Sequence, residues 1–179
     1  MNLPALLVLL PFVARGQETE RARAWCEDVH FLASELERLH PRPFFALSRE
    51  EFEAAVQGFE SDVGGWDDER AAAEFLRLVA LVSRDGLDGH TAAWPQPAEY
   101  LPVQLYAFTD GWFVVAGGAG HEDLVGARVL SIGGHPTEEA CRRLAPYLSR
   151  DNEWSLRART ALALTLPSLL RGAGIGSAG

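Results

Sequence analysis

Residues 100–116 read YLPVQLYAFTDGWFVVA. Two runs rich in aromatic and β-branched residues, Tyr100–Phe108 and Trp112–Ala116, flank Asp110-Gly111. Such runs suit a pleated, half-buried surface, and an Asp-Gly pair supplies the positive φ of a tight hairpin turn. The spacing predicts a β-hairpin, and the hairpin decides the fold class because the chain before it carries a helical period. From Glu18 to His40, the residues Trp25, Val29, Leu32, Leu36 and Leu39 recur at steps of four and three, as on one face of an amphipathic helix. His40-Pro41-Arg42-Pro43 ends that helix, since proline cannot continue the hydrogen-bond ladder and restricts the residue before it. Ser48-Arg49-Glu50-Glu51 is a capping box ahead of Phe52, Ala55, Val56 and Phe59. Gly64-Gly65 breaks the second helix, and Asp67 caps a third carrying Ala72, Phe75, Leu78, Val79 and Val82.

Beyond the hairpin, Gly117–Gly120 reads as loop and Ala127–Ile132 as a further strand ending at Gly133-Gly134. Pro136-Thr137-Glu138-Glu139 opens a short helix to Leu144, with acids in the first turn where the helix dipole favours them. A last helix is expected from Glu153 to Leu164, stopped by Pro167, and the glycine-rich tail from Gly172 is expected to fray. The expected fold is α+β: an N-terminal three-helix unit, a small β-rich module and a C-terminal helix.

The composition narrows the function. The chain has 179 residues, 47% hydrophobic, with 16 basic and 25 acidic residues and a net charge of −9. That is enough apolar content for a globular core, and the charge balance argues against a nucleic-acid partner. All 16 basic residues are arginine. Without lysine these residues supply no P-loop lysine, no Schiff base and no Ser–Lys dyad. Residues 3–14, LPALLVLLPFVA, form an uncharged apolar stretch closed by Arg15-Gly16. At about 12 residues it is short of the roughly 20 that span a bilayer and fits the core of a signal peptide, with a lipid anchor or a buried segment as alternatives. No later segment reaches membrane-spanning length, so the mature chain is expected to be exported, periplasmic or extracellular, with no membrane span. Export permits a Cys26–Cys141 disulfide, although two buried free thiols are the simpler expectation.

The stretch richest in chemistry is Asp85-Gly86-Leu87-Asp88-Gly89-His90-Thr91. Two Asp-Gly pairs make a tight polar turn that delivers a histidine at a helix exit. An imidazole with an ordinary pKa of about 6.5, beside a hydroxyl and carboxylates, suits a general base; an exposed turn histidine is the plain alternative. His30, His40, His121 and His135 are scattered without metal-ligand spacing, so neither a metal site nor a cofactor is predicted. Gly174-Ile175-Gly176-Ser177-Ala178-Gly179 mimics a dinucleotide fingerprint, but no strand precedes it and no helix follows within the sequence. Ser177 between small residues likewise mimics a nucleophile turn.

Several stretches, taken in order, resemble tricorn-type and C-terminal-processing (tail-specific) serine peptidases. Trp25-Cys26-Glu27-Asp28 with Phe31-Leu32, His40-Pro41 with Phe44-Phe45, Ser48–Phe52, and Leu76–Leu81 leading into Asp88-Gly89-His90-Thr91 are similar to their N-terminal helical region. Leu124–Pro136 is similar to their PDZ-like segment, and Ser149–Glu153 and Leu169–Ile175 to the approach to their catalytic sheet. With the apolar stretch setting off a signal segment (1–16), the resemblance implies a helical domain (17–92), a PDZ-like module (98–146) and a helix with tail (147–179) leading to a catalytic α/β domain. It implies that His90 is the general base of a Ser–His pair, with Asp88 and Thr91 supporting the turn. None of the nine serines lies in a convincing nucleophile turn, so the serine is expected outside these residues. The implied partner is a peptide or unfolded protein, with Val129, Leu130 and Ile132 bordering a peptide groove or serving as ordinary core strand. A non-catalytic binding module is the rival reading, and a subunit lending His90 to another chain's serine a third. An uncovered C-terminal edge would also leave room for homo-oligomers.

Overall fold

The computed structural model describes residues 10–84, 86, 88–94 and 99–176, with side chains from Thr19 onward. Residues 1–9 of the apolar N-terminal stretch, Asp85, Leu87, the start of the 98–146 module and Ser177 lie outside the described residues. The fold is α+β, as expected. Helices α1 (Leu10–Leu39), α2 (Arg49–Asp62) and α3 (Asp68–Leu81) precede a hairpin of β1 (Val103–Phe108) and β2 (Gly111–Gly117). A two-residue ladder of β3 (Ser131–Ile132) and β4 (His135–Pro136) leads into α4 (Thr137–Leu144), α5 (Glu153–Ala163) and α6 (Pro167–Gly172).

Helix α1 is already formed at Leu10, the first described residue, and not only from residue 18, so residues 10–14 of the apolar stretch belong to it. Its C-terminal end falls before His40-Pro41, as the prolines require. The Ser48 capping box forms in both directions, with Glu51 N–H donating to Ser48 Oγ at 3.1 Å and Ser48 N–H to Glu51 Oε2 at 2.7 Å. Asp67 accepts from Arg70 N–H at 2.7 Å and caps α3.

Two apolar clusters result. Val29 and Leu36 of α1, Phe52, Val56 and Phe59 of α2, and Ala71 and Leu78 of α3 form the first. The second joins Leu105, Trp112 and Val114 of the hairpin with Ala140, Leu144, Ala163, Leu164, Leu169 and Leu170. Ala73 and Leu76 of α3 belong to that second cluster, so α3 is buried on two faces and forms a wall common to both. Its Glu74 is buried between Arg70 at 2.7 Å and Arg77, which satisfies the charge within the same helix.

The expected strand Ala127–Ile132 is shorter than the pattern suggested. Only Ser131–Ile132 forms a ladder, and Arg128 makes a single bridge to Phe113. The backbone at 126–129 instead edges β2 irregularly: Val114 N–H donates to Ala127 C=O and Val129 N–H to Trp112 C=O. The C-terminus also differs. Pro167 opens α6 instead of closing the chain's helices, because its fixed φ and missing N–H suit the first turn of a helix. Ile175, in the tail expected to fray, is buried in the second cluster, since apolar burial there offsets the glycines' freedom.

Candidate functional site

Helix α3 runs out through Val82, Ser83 and Arg84, whose N–H groups donate back to Val79, Ala80 and Leu81. Gly86 N–H then donates to Ser83 C=O at 2.8 Å, and the turn that follows is organised by one carboxylate. Asp88 Oδ1 accepts from the backbone N–H of His90 at 2.9 Å and of Thr91 at 3.1 Å. Asp88 Oδ2 accepts from Thr91 Oγ1 at 2.8 Å and from His40 Nε2 at 2.6 Å. Arg42 N–H donates to His40 Nδ1 at 3.1 Å, so the neutral ring carries its proton on Nε2, facing Asp88. With both ring nitrogens engaged, His40 clamps the end of α1 to the loop.

Burial alone would push the Asp88 carboxyl up. The bonds from His40, the Thr91 hydroxyl and the Thr91 and His90 backbone outweigh it and hold the group at about 2. Asp88 is therefore a fixed anion at neutral pH, and its work is to shape the turn.

The far side of the loop is fastened to α5 and its cap. Gly89 N–H donates to Asp151 Oδ1 at 2.5 Å, and Arg159 Nη2 donates to Gly89 C=O at 2.5 Å. A Cβ at position 89 would sit 2.6 Å from Asp151 Oδ2, so glycine is what allows the close approach. Arg150 N–H donates to the buried Ser83 Oγ at 3.0 Å, docking the 149–152 segment on the same turn. Between these two anchorages His90 stands out into solvent, its side chain 96% exposed. Its Nδ1 lies 3.9 Å from Asp151 Oδ1, close enough for charge attraction and too far for a hydrogen bond.

Of the residues singled out in the sequence, Asp88, His90 and Thr91 share one rigid turn. His40, Asp151 and Arg159, which hold that turn, were not picked out as its partners. The stretches that carry the family resemblance include His40 and Asp151, without linking either to the turn. No serine hydroxyl among the described residues bonds His90: Ser83 is buried and bonded to Ala80 C=O, and Ser155 caps α5. Cys26 and Cys141 are free and half-buried. Burial, with Glu138 adding to it, pushes the Cys141 thiol up to about 12, so it is no nucleophile at neutral pH. Beside Thr91, Leu32, Leu36, Leu39 and Pro41 line a mostly apolar hollow of about 330 Å³.

The segment Leu124–Pro136 lies elsewhere. Val129 and Ile132 pack against the second cluster, whereas Leu130 is 73% exposed. Val129 N–H is bonded to Trp112, and the Val129 and Leu130 carbonyls accept from the Thr137 hydroxyl and N–H. Those groups are the ones an added peptide strand would use. Among the described residues no cluster of three or more His, Cys, Asp or Glu side chains could hold a metal, and no helix is long and apolar enough to cross a membrane. Compared with protein-family models, with curated proteins and with solved structures, the chain matches none.

Proposed function

We propose that this chain contributes the general base of a serine-type peptidase acting on peptides or unfolded protein, and that the base is His90. The observation that carries the reading is the contrast within one loop: a backbone pinned from two sides and an imidazole left open to solvent. A base must meet the proton it abstracts in a fixed geometry, and a rigid mount with a free ring supplies both. In the reaction, His90 takes the proton from an approaching serine hydroxyl as that oxygen attacks the peptide carbonyl. It then returns the proton to the departing amine. Asp151, 3.9 Å from Nδ1, offsets the positive charge that the ring carries between those steps. The apolar hollow beside Thr91 receives a side chain of the peptide. The serine comes from sequence outside the described residues, and the setting is exported.

The test is hydrolysis of a peptide library by the product of the whole gene, wild type against His90→Ala. The expected result is a loss of about 10²- to 10⁴-fold in turnover, the usual value of a positioned base. Turnover that survives the substitution unchanged overturns the assignment.

A further inference from the structure

A second cavity, of about 440 Å³, opens between the hairpin turn, α4 and α5, and none of the His90 loop lines it. Each of its three walls carries one acid and one arginine. Asp110 and Arg128 stand at the hairpin turn, Glu138 and Arg142 on α4, and Glu153 and Arg157 on α5. The two helical pairs are four residues apart, the spacing that ordinarily closes an ion pair along a helix. Neither closes. Arg142 pairs with Glu139, and the Arg157 guanidinium sits 5.7 Å from the centre of the Trp154 ring. Among the described residues, Asp110, Glu138, Glu153, Arg128 and Arg157 therefore have no ion-pair partner. Both signs of charge face one hollow without neutralising each other.

The deeper wall has a need of its own. Thr160 and Trp112 line the cavity and are 3% and 6% exposed, yet neither the hydroxyl nor the indole N–H has a hydrogen-bond partner among the described residues. Among those residues no buried side-chain nitrogen or oxygen is sealed off unpaired, so neither atom is fully closed off from solvent, and both residues line the cavity. Gly111 seats Arg128 in its wall: with φ +145° and no Cβ, it lets Arg128 Nε come within 2.9 Å of where a Cβ would be.

We infer that this cavity binds a small zwitterion of the α-amino-acid or dipeptide class. The carboxylate bonds the free guanidinium groups and the buried donors, and the ammonium faces the unpaired acids. A purely anionic ligand would leave three carboxylates uncompensated, and a purely cationic one would oppose the arginines. The volume suits such a ligand, and Leu156 and Ala145 offer its side chain an apolar surface. The inference stands apart from the peptidase reading, because it concerns binding alone.

The experiment is calorimetric titration of the purified protein with L-leucine and with leucyl-leucine, each against its amide and its N-acetyl form. Saturable binding is expected with at least one parent compound, leucine alone marking an amino-acid site and the dipeptide a peptide-end site. Loss of either ligand charge should weaken binding by about tenfold or more, the value of one charge-assisted hydrogen bond. Thr160→Val, which keeps the side chain's shape, and Arg128→Gln should each weaken it similarly, with unchanged thermal melting showing that the variants are folded. Absence of saturable heat with both parents at about 10 mM, equal binding of the blocked forms, or binding untouched in both folded variants overturns the inference.

Discussion

Asp88 does at the scale of one residue what a longer segment would otherwise have to do. Four donors converge on its two oxygens, from His40, Thr91 twice and His90. Its folded value of about 2 lies below the ordinary 3.8, so it contributes stability that is fully present above about pH 4 and is lost as pH falls through about 2. Asp88→Asn is expected to lower the unfolding free energy at pH 7 by about 2 kcal/mol, the worth of that depression. Urea titrations at pH 7 and pH 2.5 check it: the gap between wild type and variant should narrow at the lower pH, and a constant gap contradicts the account. The turn itself was legible, because Asp-Gly-His-Thr announces tight local bonding. Its partners were not. His40 lies 48 positions away, and nothing in the local sequence, where it precedes a proline that ends α1, ties it to Asp88.

At the scale of elements, local chemistry was readable wherever it was self-contained. The Ser48 box and the Asp67 cap each act within four residues and form, and the hairpin closes over Thr109-Asp110 with Gly111, at φ +145°, as the first residue of β2. Ser48→Ala should cost about 1 kcal/mol and lower the melting temperature by about 2–4 °C in a chain of this size. Differential scanning calorimetry measures this, and an unshifted transition would show that α2 is held by packing alone. Elements that depend on distant chain were less readable. The run from Ala127 to Ile132 has the composition of a strand, but Gly126 takes φ +89° and the segment meets β2 only in scattered bonds. Pro167 is a helix stop in one context and a first helical residue in another. The difference lies in Leu169 and Leu170, which the second cluster buries.

The whole molecule turns on α3. Its sequence shows one apolar stripe, Phe75, Leu78, Val79 and Val82, and Ala73 and Leu76 pass for ordinary helix formers until the hairpin module packs against them. A boundary placed between the helical unit and the β-rich module by the change of pattern therefore crosses a shared wall. Arg171 reinforces it, pairing with Glu69 at 2.5 Å, and Arg70 Nη1 donates to Gly172 C=O at 3.0 Å. Leu78→Ala is expected to remove about 2–5 kcal/mol, as a large buried leucine does. Hydrogen exchange followed by mass spectrometry should show protection falling by a similar factor in α2 and in α5. Loss confined to α1 and α2 would show instead that the two clusters open independently.

The loop that carries His90 is tied on one flank to His40 at the end of α1 and on the other to Asp151 just ahead of α5, across 48 and 62 positions of chain. Variation in length is thus closed to it. One residue added between Asp88 and Thr91 would put either the carboxylate out of reach of its donors or Gly89 out of step with Asp151. Lineages descended from such a protein can change the ring at position 90 far more cheaply than they can move it. A new activity in this framework would come by exchanging the side chain on a fixed mount, with whatever partner surface it serves doing the travelling.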